Sequence, residues 1–419
     1  MLWLCLAFAA PAVAQNYDNP GLGELPVVAH PQDYKPLGIR AGGFMLHPGI
    51  QLAAEWNDNV FYTNENAESG VRDDLIMHYR PYVTAQSNWS QHAFNVRLAA
   101  DVARHQDYGY RDYEDYFLLI GGRVDVRNRS YMSYSLDYMD LHEGLNSRDA
   151  EQGLEPTRYS LYGGSIGYDH TFNRLSLGII YSLRRMDFDD VVDPDGSVID
   201  NQDRDRDESS LGLRAGYQFQ TEKQAFVSLT TRAADYKQVL DRNEYARSND
   251  GWSADAGLLF TITGKLDGDV FASYHERSYD DPNLPDVSGW AAGAGLRWRP
   301  TRLTSVGARI SSDIQETTYK YSSGYLRTLY SVRANHELTR FLQLSGQVSY
   351  SDNDYQLIPG APADARTEDK IWQAGVGLNY FVNRNIFLSL SYTYDHLTSN
   401  VVDDDYDVNR VWATLSLEY

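Results

Sequence analysis

The sequence predicts an all-β protein, a transmembrane antiparallel up-and-down β-barrel of about eighteen strands (16–18). Three observations predict it. Segments of roughly ten to sixteen residues alternate apolar with polar or small side chains, the period of a strand with one apolar face. The connections between these segments alternate long and short without a break. The C-terminal segment shows the pattern most cleanly: Val411, Ala413, Leu415, Leu417 and Tyr419 fall on one face, Trp412, Thr414, Ser416 and Glu418 on the other.

Composition removes several alternatives. The 419 residues carry a formal net charge of −21, which argues against a nucleic-acid partner, because that requires a positive footprint. Mean hydropathy is −0.51, and past the N-terminus no apolar run is long enough for a membrane helix. A barrel strand turns only every second residue to lipid, so a low average does not argue against a barrel. The 32 tyrosines against 14 phenylalanines fit rings placed at the headgroup level.

In chain order, Met1–Ala14 reads as an export signal, with an apolar core and small residues at Ala12 and Ala14 before the cut. No Lys or Arg precedes the core. Cys5 lies inside the signal and lacks the small residues that precede a lipoprotein cysteine, so the cleaved chain would hold no cysteine. Residues 15–41, with Pro20, Pro26, Pro31 and Pro36, read as an extended periplasmic arm. Residues 42–419 form the barrel. Its strands are expected near 44–61, 74–87, 92–104, 115–128, 130–142, 157–171, 174–187, 208–220, 224–236, 251–263, 265–277, 288–300, 302–314, 323–338, 340–352, 370–382, 384–396 and 408–419.

Tight connections at one end and long loops at the other are the asymmetry of outer-membrane barrels, with short turns in the periplasm. An even strand count leaves both termini on the short-turn side. Acids collect in the long loops and basic residues in the short turns. Loop four, Asp187–Glu208, is the most acidic. It reads as solvated surface or as a divalent-cation surface among lipopolysaccharide. Asp193-Pro194-Asp195-Gly196 lacks the ligand spacing and closing Glu of an EF-hand. No metal site or cofactor is expected.

If the apolar parity faces lipid, the other parity faces the lumen. It carries Arg80, Arg97, Arg123, Arg184, Arg214, Arg232, Arg297, Arg309, Arg327 and Arg333, with Glu55, Asp101, Asp125, Asp137, Asp255, Asp267 and Asp269. Arginine suits planar pairing with carboxylates and phosphates. Two uses compete: pairing with wall acids to stiffen the barrel, or a sliding surface for an anionic sugar chain or solute. His78 and His275 share this parity, but no local spacing suggests a catalytic triad, no phosphate loop or zinc pair occurs, and the chain does not read as an enzyme. Leu415, Leu417 and Tyr419 resemble the terminal signal read by barrel-assembly machinery.

The segment His30–Ile50, then Glu55-Trp-Asn-Asp-Asn-Val-Phe-Tyr62 and Tyr79-Arg80-Pro81, resembles an outer-membrane β-barrel family linked to exopolysaccharide and capsule loci. The resemblance is strongest over residues 30–85. It implies an outer-membrane, porin-like barrel beside lipid and lipopolysaccharide, and an export path for a polysaccharide with periplasmic export partners. The second reading is a general diffusion porin, with acidic loop four as the candidate constriction. A barrel enzyme is a remote third.

Overall fold

The computed structural model describes residues 34–66, 70–149 and 153–419. The export signal and residues 15–33 of the arm lie outside them. Eighteen strands form one antiparallel sheet: β1 (Phe44–Asn57), β2 (Asp74–Ser87), β3 (Ala93–His105), β4 (Tyr113–Arg127), β5 (Ser130–His142), β6 (Arg158–Phe172), β7 (Leu175–Phe188), β8 (Arg206–Gln220) and β9 (Lys223–Tyr236) make the first half. The second half is β10 (Asn249–Thr263), β11 (Leu266–Tyr279), β12 (Val287–Trp298), β13 (Thr304–Glu316), β14 (Ser322–Thr339), β15 (Leu342–Leu357), β16 (Glu368–Phe381), β17 (Ile386–Ser399) and β18 (Tyr406–Glu418). Each strand pairs with its chain neighbours, and β1 closes on β18 from Gly49↔Glu418 to Asn57↔Arg410. Closure is what lipid demands: an unpaired backbone group in hydrocarbon costs several kcal/mol.

The two periodicities read from the sequence are the two faces of this wall. Leu175, Leu177, Ile179, Tyr181 and Leu183 of β7 are all exposed on the outside, while Ile180 between them is buried. Rings mark the borders of the apolar band. Trp252, Tyr274 and Trp290 form one outer group, with ring centroids 5.4 and 5.2 Å apart. Tyr350 and Trp372 form another, at 4.6 Å.

The short-turn end is built tightly enough to force left-handed backbone at non-glycine residues. Arg129 has φ 70°, Asn173 45° and Glu222 62°. These turns fix the register, so each lumen residue keeps its parity from strand to strand. At the same end a three-residue strand, Ile39–Ala41, pairs back on β1. Ahead of it Tyr34 lies against Phe381, centroids 5.7 Å apart, so this part of the arm follows the rim to the β16–β17 turn. Expected and observed strands agree closely; β1 ends at Asn57 because 58–62 turn inward as the start of loop one.

Candidate functional site

The lumen and its long-loop mouth hold the polar chemistry. All ten arginines read from the sequence sit on the lumen parity. Arg214, for example, lies opposite Gly178 and Ser228, and Arg309 opposite Gly295 and Ser331. They fall into two groups. Arg80 pairs with Asp101 at 2.9 Å, Arg123 with Asp125 at 2.9 Å, Arg184 with Glu208 at 3.6 Å and Arg297 with Asp267 at 2.7 Å. Arg97 donates to Thr84 at 3.4 Å and lies over Tyr82, and Arg333 donates to Gln347 at 3.1 Å. Arg327 lies opposite Asp313 and Asn353 in the wall.

Arg214, Arg232 and Arg309 form the second group: among the described residues none of them makes an ion pair or a side-chain hydrogen bond. Arg214 stacks its guanidinium 4.2 Å over the Phe226 ring. Two acids share its level, Asp169 and Asp255, and Asp255 is occupied by the hydroxyls of Ser228 and Ser273. Cations of β8, β9 and β13 therefore face the lumen with spare hydrogen-bonding capacity.

The sector from β17 through β18 and β1 to β3 is packed shut by contrast. His78 is 2 % exposed and sits between Glu55 (3.2 Å) and Asp101 (3.1 Å), its ring 5.0 Å from Trp412. Arg410 pairs with Asp395, both buried, and donates to Tyr62 Oη at 3.1 Å. The sequence placed His78 on the lumen parity; its two carboxylate partners come from other strands and needed the register.

Across the mouth runs loop three (143–157), which joins β5 to β6. Arg148 donates to Asp369 at 3.0 Å and to Asp404 at 2.7 Å. Asp149 accepts from Thr317 Oγ1 at 2.6 Å and from the Thr318 N–H at 3.0 Å. Those partners belong to β16 and to the loops after β13 and β17, on the far side of the barrel from β5 and β6. Behind the tip, Arg204 clamps Glu143 at 2.5 and 2.9 Å, and Arg111 donates to the Gly153 carbonyl at 3.1 Å.

This corrects the expectation for loop four, which stays on its own side. Its acids build turns. Asp195 accepts the Ser197 N–H at 2.8 Å, Asp200 that of Gln202 at 2.9 Å, and Asp205 that of Phe188 at 2.6 Å. The Asp193–Gly196 stretch is the turn of a two-residue hairpin, Val191–Val192 with Val198–Ile199. Asp203 takes the Arg242 guanidinium at 2.8 and 2.9 Å and its N–H at 3.0 Å. Burial pushes the Asp203 carboxyl up, but these bonds overcome it and hold it below the usual range. Asp205 goes the other way: burial, backed by neighbouring Asp187, Asp190 and Asp200, raises it despite the Phe188 bond. The one carboxylate group among the described residues close enough to share a cation is Asp352, Asp354 and Glu368 on the outer rim, where Lys370 already pairs with Glu368 at 2.5 Å.

A closed eighteen-stranded barrel with an apolar girdle, polar lumen and inserted loop defines a porin-like outer-membrane protein. The chain belongs to the family described as "Putative beta-barrel porin 2", whose pattern matches residues 30–419. The family resemblance read from residues 30–85 is borne out at that level. A comparison with curated proteins gave no match. Among solved structures, OccK2 (OpdF) of Pseudomonas aeruginosa is similar at 12% identity and TM-score 0.47, over 89% of this chain and 98% of its own. The same protein in complex with glucuronate gives 11% identity and TM-score 0.47, over the same shares. A BenF-like porin from Pseudomonas fluorescens Pf-5 gives 11% and 0.47, over 89% of this chain and 99% of its own.

Proposed function

We propose that the protein is a diffusion porin for small anionic solutes. The observation that carries this reading is the set of lumen arginines with neither an ion pair nor a side-chain hydrogen bond among the described residues, Arg214, Arg232 and Arg309, in a lumen where the other arginines are already engaged. Guanidinium groups with free donors offer planar recognition to carboxylate or phosphate. Loop three favours small solutes over the polysaccharide path that the family resemblance implies. It is tied to the opposite wall by Arg148 and Asp149, and a polymer would have to break those ties to pass.

The test is reconstitution in planar bilayers under a potassium chloride gradient. The expected reversal potential has the sign of anion selectivity, and Arg214→Ala combined with Arg309→Ala moves it toward cations. An unchanged reversal potential in that double variant overturns the reading. Normal surface polymer in a deletion strain argues against export, and its loss restores the export path.

A further inference from the structure

Among the described residues, the longest interruption of the barrel wall lies between β12 and β13; the β2–β3 ladder skips only Arg80 and Pro81. β12 is paired with β11 along its whole length, and β13 with β14 along its whole length. Between β12 and β13 the ladder runs only from Trp298↔Val306 to Ala294↔Ile310 and then stops. Residues 287–293 and 311–316 are extended but not paired with each other, and no other strand takes the vacated edges.

The upper end of β13 has gone inside. Ile314 would face lipid by parity, yet it is 3 % exposed and packs with Tyr279, Leu284 and Val287. Glu316 accepts from Arg277 at 2.5 Å and lies 3.3 Å from the Asn249 amide, both lumen residues of β11 and β10. The β13–β14 hairpin therefore leans over the inner face of β10–β12 and leaves the β12 edge open. The gap begins within the apolar band, just above Ala294 on its β12 side, and runs outward past Trp290, the outer-girdle ring, which is 77 % exposed. An unpaired strand edge in hydrocarbon is costly, which makes the break a feature needing a use.

Its lining indicates one. Three of the β12 residues on the lumen parity there, Gly289, Ala291 and Gly293, have minimal side chains. Opposite Gly293 lies Phe271, whose ring covers it so closely that an added Cβ would stand 2.0 Å away. Phe226 follows at 6.3 Å, an apolar pair on the lumen side of the gap. Arg214 sits over Phe226, and Arg309 enters the lumen beside Gly295. From lipid inward, the order is small residues, two rings, two cations.

We propose that this gap is a lateral portal through which a single-chain amphiphile with an anionic head passes between the lumen and the outer leaflet. The chain lies across Gly289–Gly293 and the Phe226–Phe271 pair, and the head meets Arg214 and Arg309. The proposal shares those arginines with the diffusion reading but needs the open wall, which that reading does not.

The test uses the full barrel in liposomes with a photoreactive dodecanoic acid, cross-links being mapped by mass spectrometry. Wild type is expected to label Phe226 and Phe271 inside as well as the β12 edge. Gly289→Trp fills the gap; an added Cβ there meets only Leu326, at 3.9 Å. Ala291→Trp serves as a second block should the first not give a heat-modifiable barrel. Either block is expected to abolish interior labelling while chloride conductance stays. Interior labelling that persists in both blocked barrels overturns the portal, as does labelling confined to lipid-facing positions in wild type. Wild-type interior labelling that the blocks abolish, in a barrel that conducts no chloride, supports the portal and overturns the diffusion reading instead.

Discussion

Two sectors of one lumen use the same residue type differently. Where β17, β18, β1 and β2 meet, arginines are consumed by carboxylates: Arg410 by Asp395, Arg80 by Asp101, with His78 wedged between Glu55 and Asp101. Along β8, β9 and β13, Arg214, Arg232 and Arg309 make no ion pair. In the first sector the cation is part of the wall, where β18 closes on β1. In the second it is offered to whatever enters. Charge on a lumen face therefore says little until its partner is known, because a balanced buried pair has no capacity left for a solute.

The largest expected effect breaks the first sector. Asp395→Ala leaves Arg410 buried without its counter-charge, which costs about 3–5 kcal/mol. The denaturation midpoint of the detergent-folded barrel should fall accordingly. In contrast, Arg309→Ala should leave stability within about 0.5 kcal/mol. Equal losses in the two variants would erase the distinction between the sectors.

Next comes the strap between them. Arg148→Ala removes the bonds to Asp369 and Asp404 that hold loop three across the mouth. Single-channel conductance should rise and become noisier, with the barrel's thermal stability preserved. Unchanged conductance would mean that loop three does not narrow the path.

A third prediction concerns the end of β18, next to the packed sector. Leu417 and Tyr419 face outward, and the Tyr419 N–H donates to the Pro48 carbonyl at 3.0 Å. Deleting Tyr419 removes one backbone bond at the seam and the terminal ring that assembly machinery would read. Outer-membrane abundance should fall by more than a single bond's contribution to stability explains. Full abundance of heat-modifiable barrel would leave Tyr419 as an ordinary lipid-facing residue.

How much of this was legible follows from which interactions are local. Strand parity is local, so Arg80 through Arg333 were placed on the lumen face from alternation alone, and strand number came from the rhythm of turns. Pairing is not local. The partners of His78, and the absence of ion pairs at Arg214 and Arg309, depend on cross-strand register, which the period of two does not encode. Acid density singles out loop four and gives no sign of loop three. The signal would have been Arg148-Asp149 adjacent in a loop between two long strands, a cation and an anion able to tie opposite sides. The break between β12 and β13 was invisible because both strands alternate normally; only their mutual register shows it.

The smallest effect separates two neighbouring acids within loop four. Asp203 has its folded pKa lowered by Arg242, so its contribution to docking loop four on loop five is complete above the ordinary carboxylate range. That contribution is lost as pH falls through the lowered value. Asp205 has its folded pKa raised by burial, so protonation relieves it, and falling pH favours the folded loop through that range. On acidification Asp205 titrates first and costs the loop nothing, and undocking waits for Asp203. Limited proteolysis within loops four and five should therefore stay slow through mildly acid pH and accelerate only below the normal carboxylate range. Asp203→Asn should remove that late step and expose the loop at neutral pH, while Asp205→Asn should leave the late step where it was. Acceleration in the mildly acid range, in step with Asp205, would reverse the assignment and make burial rather than the Arg242 bond the dominant influence on the loop.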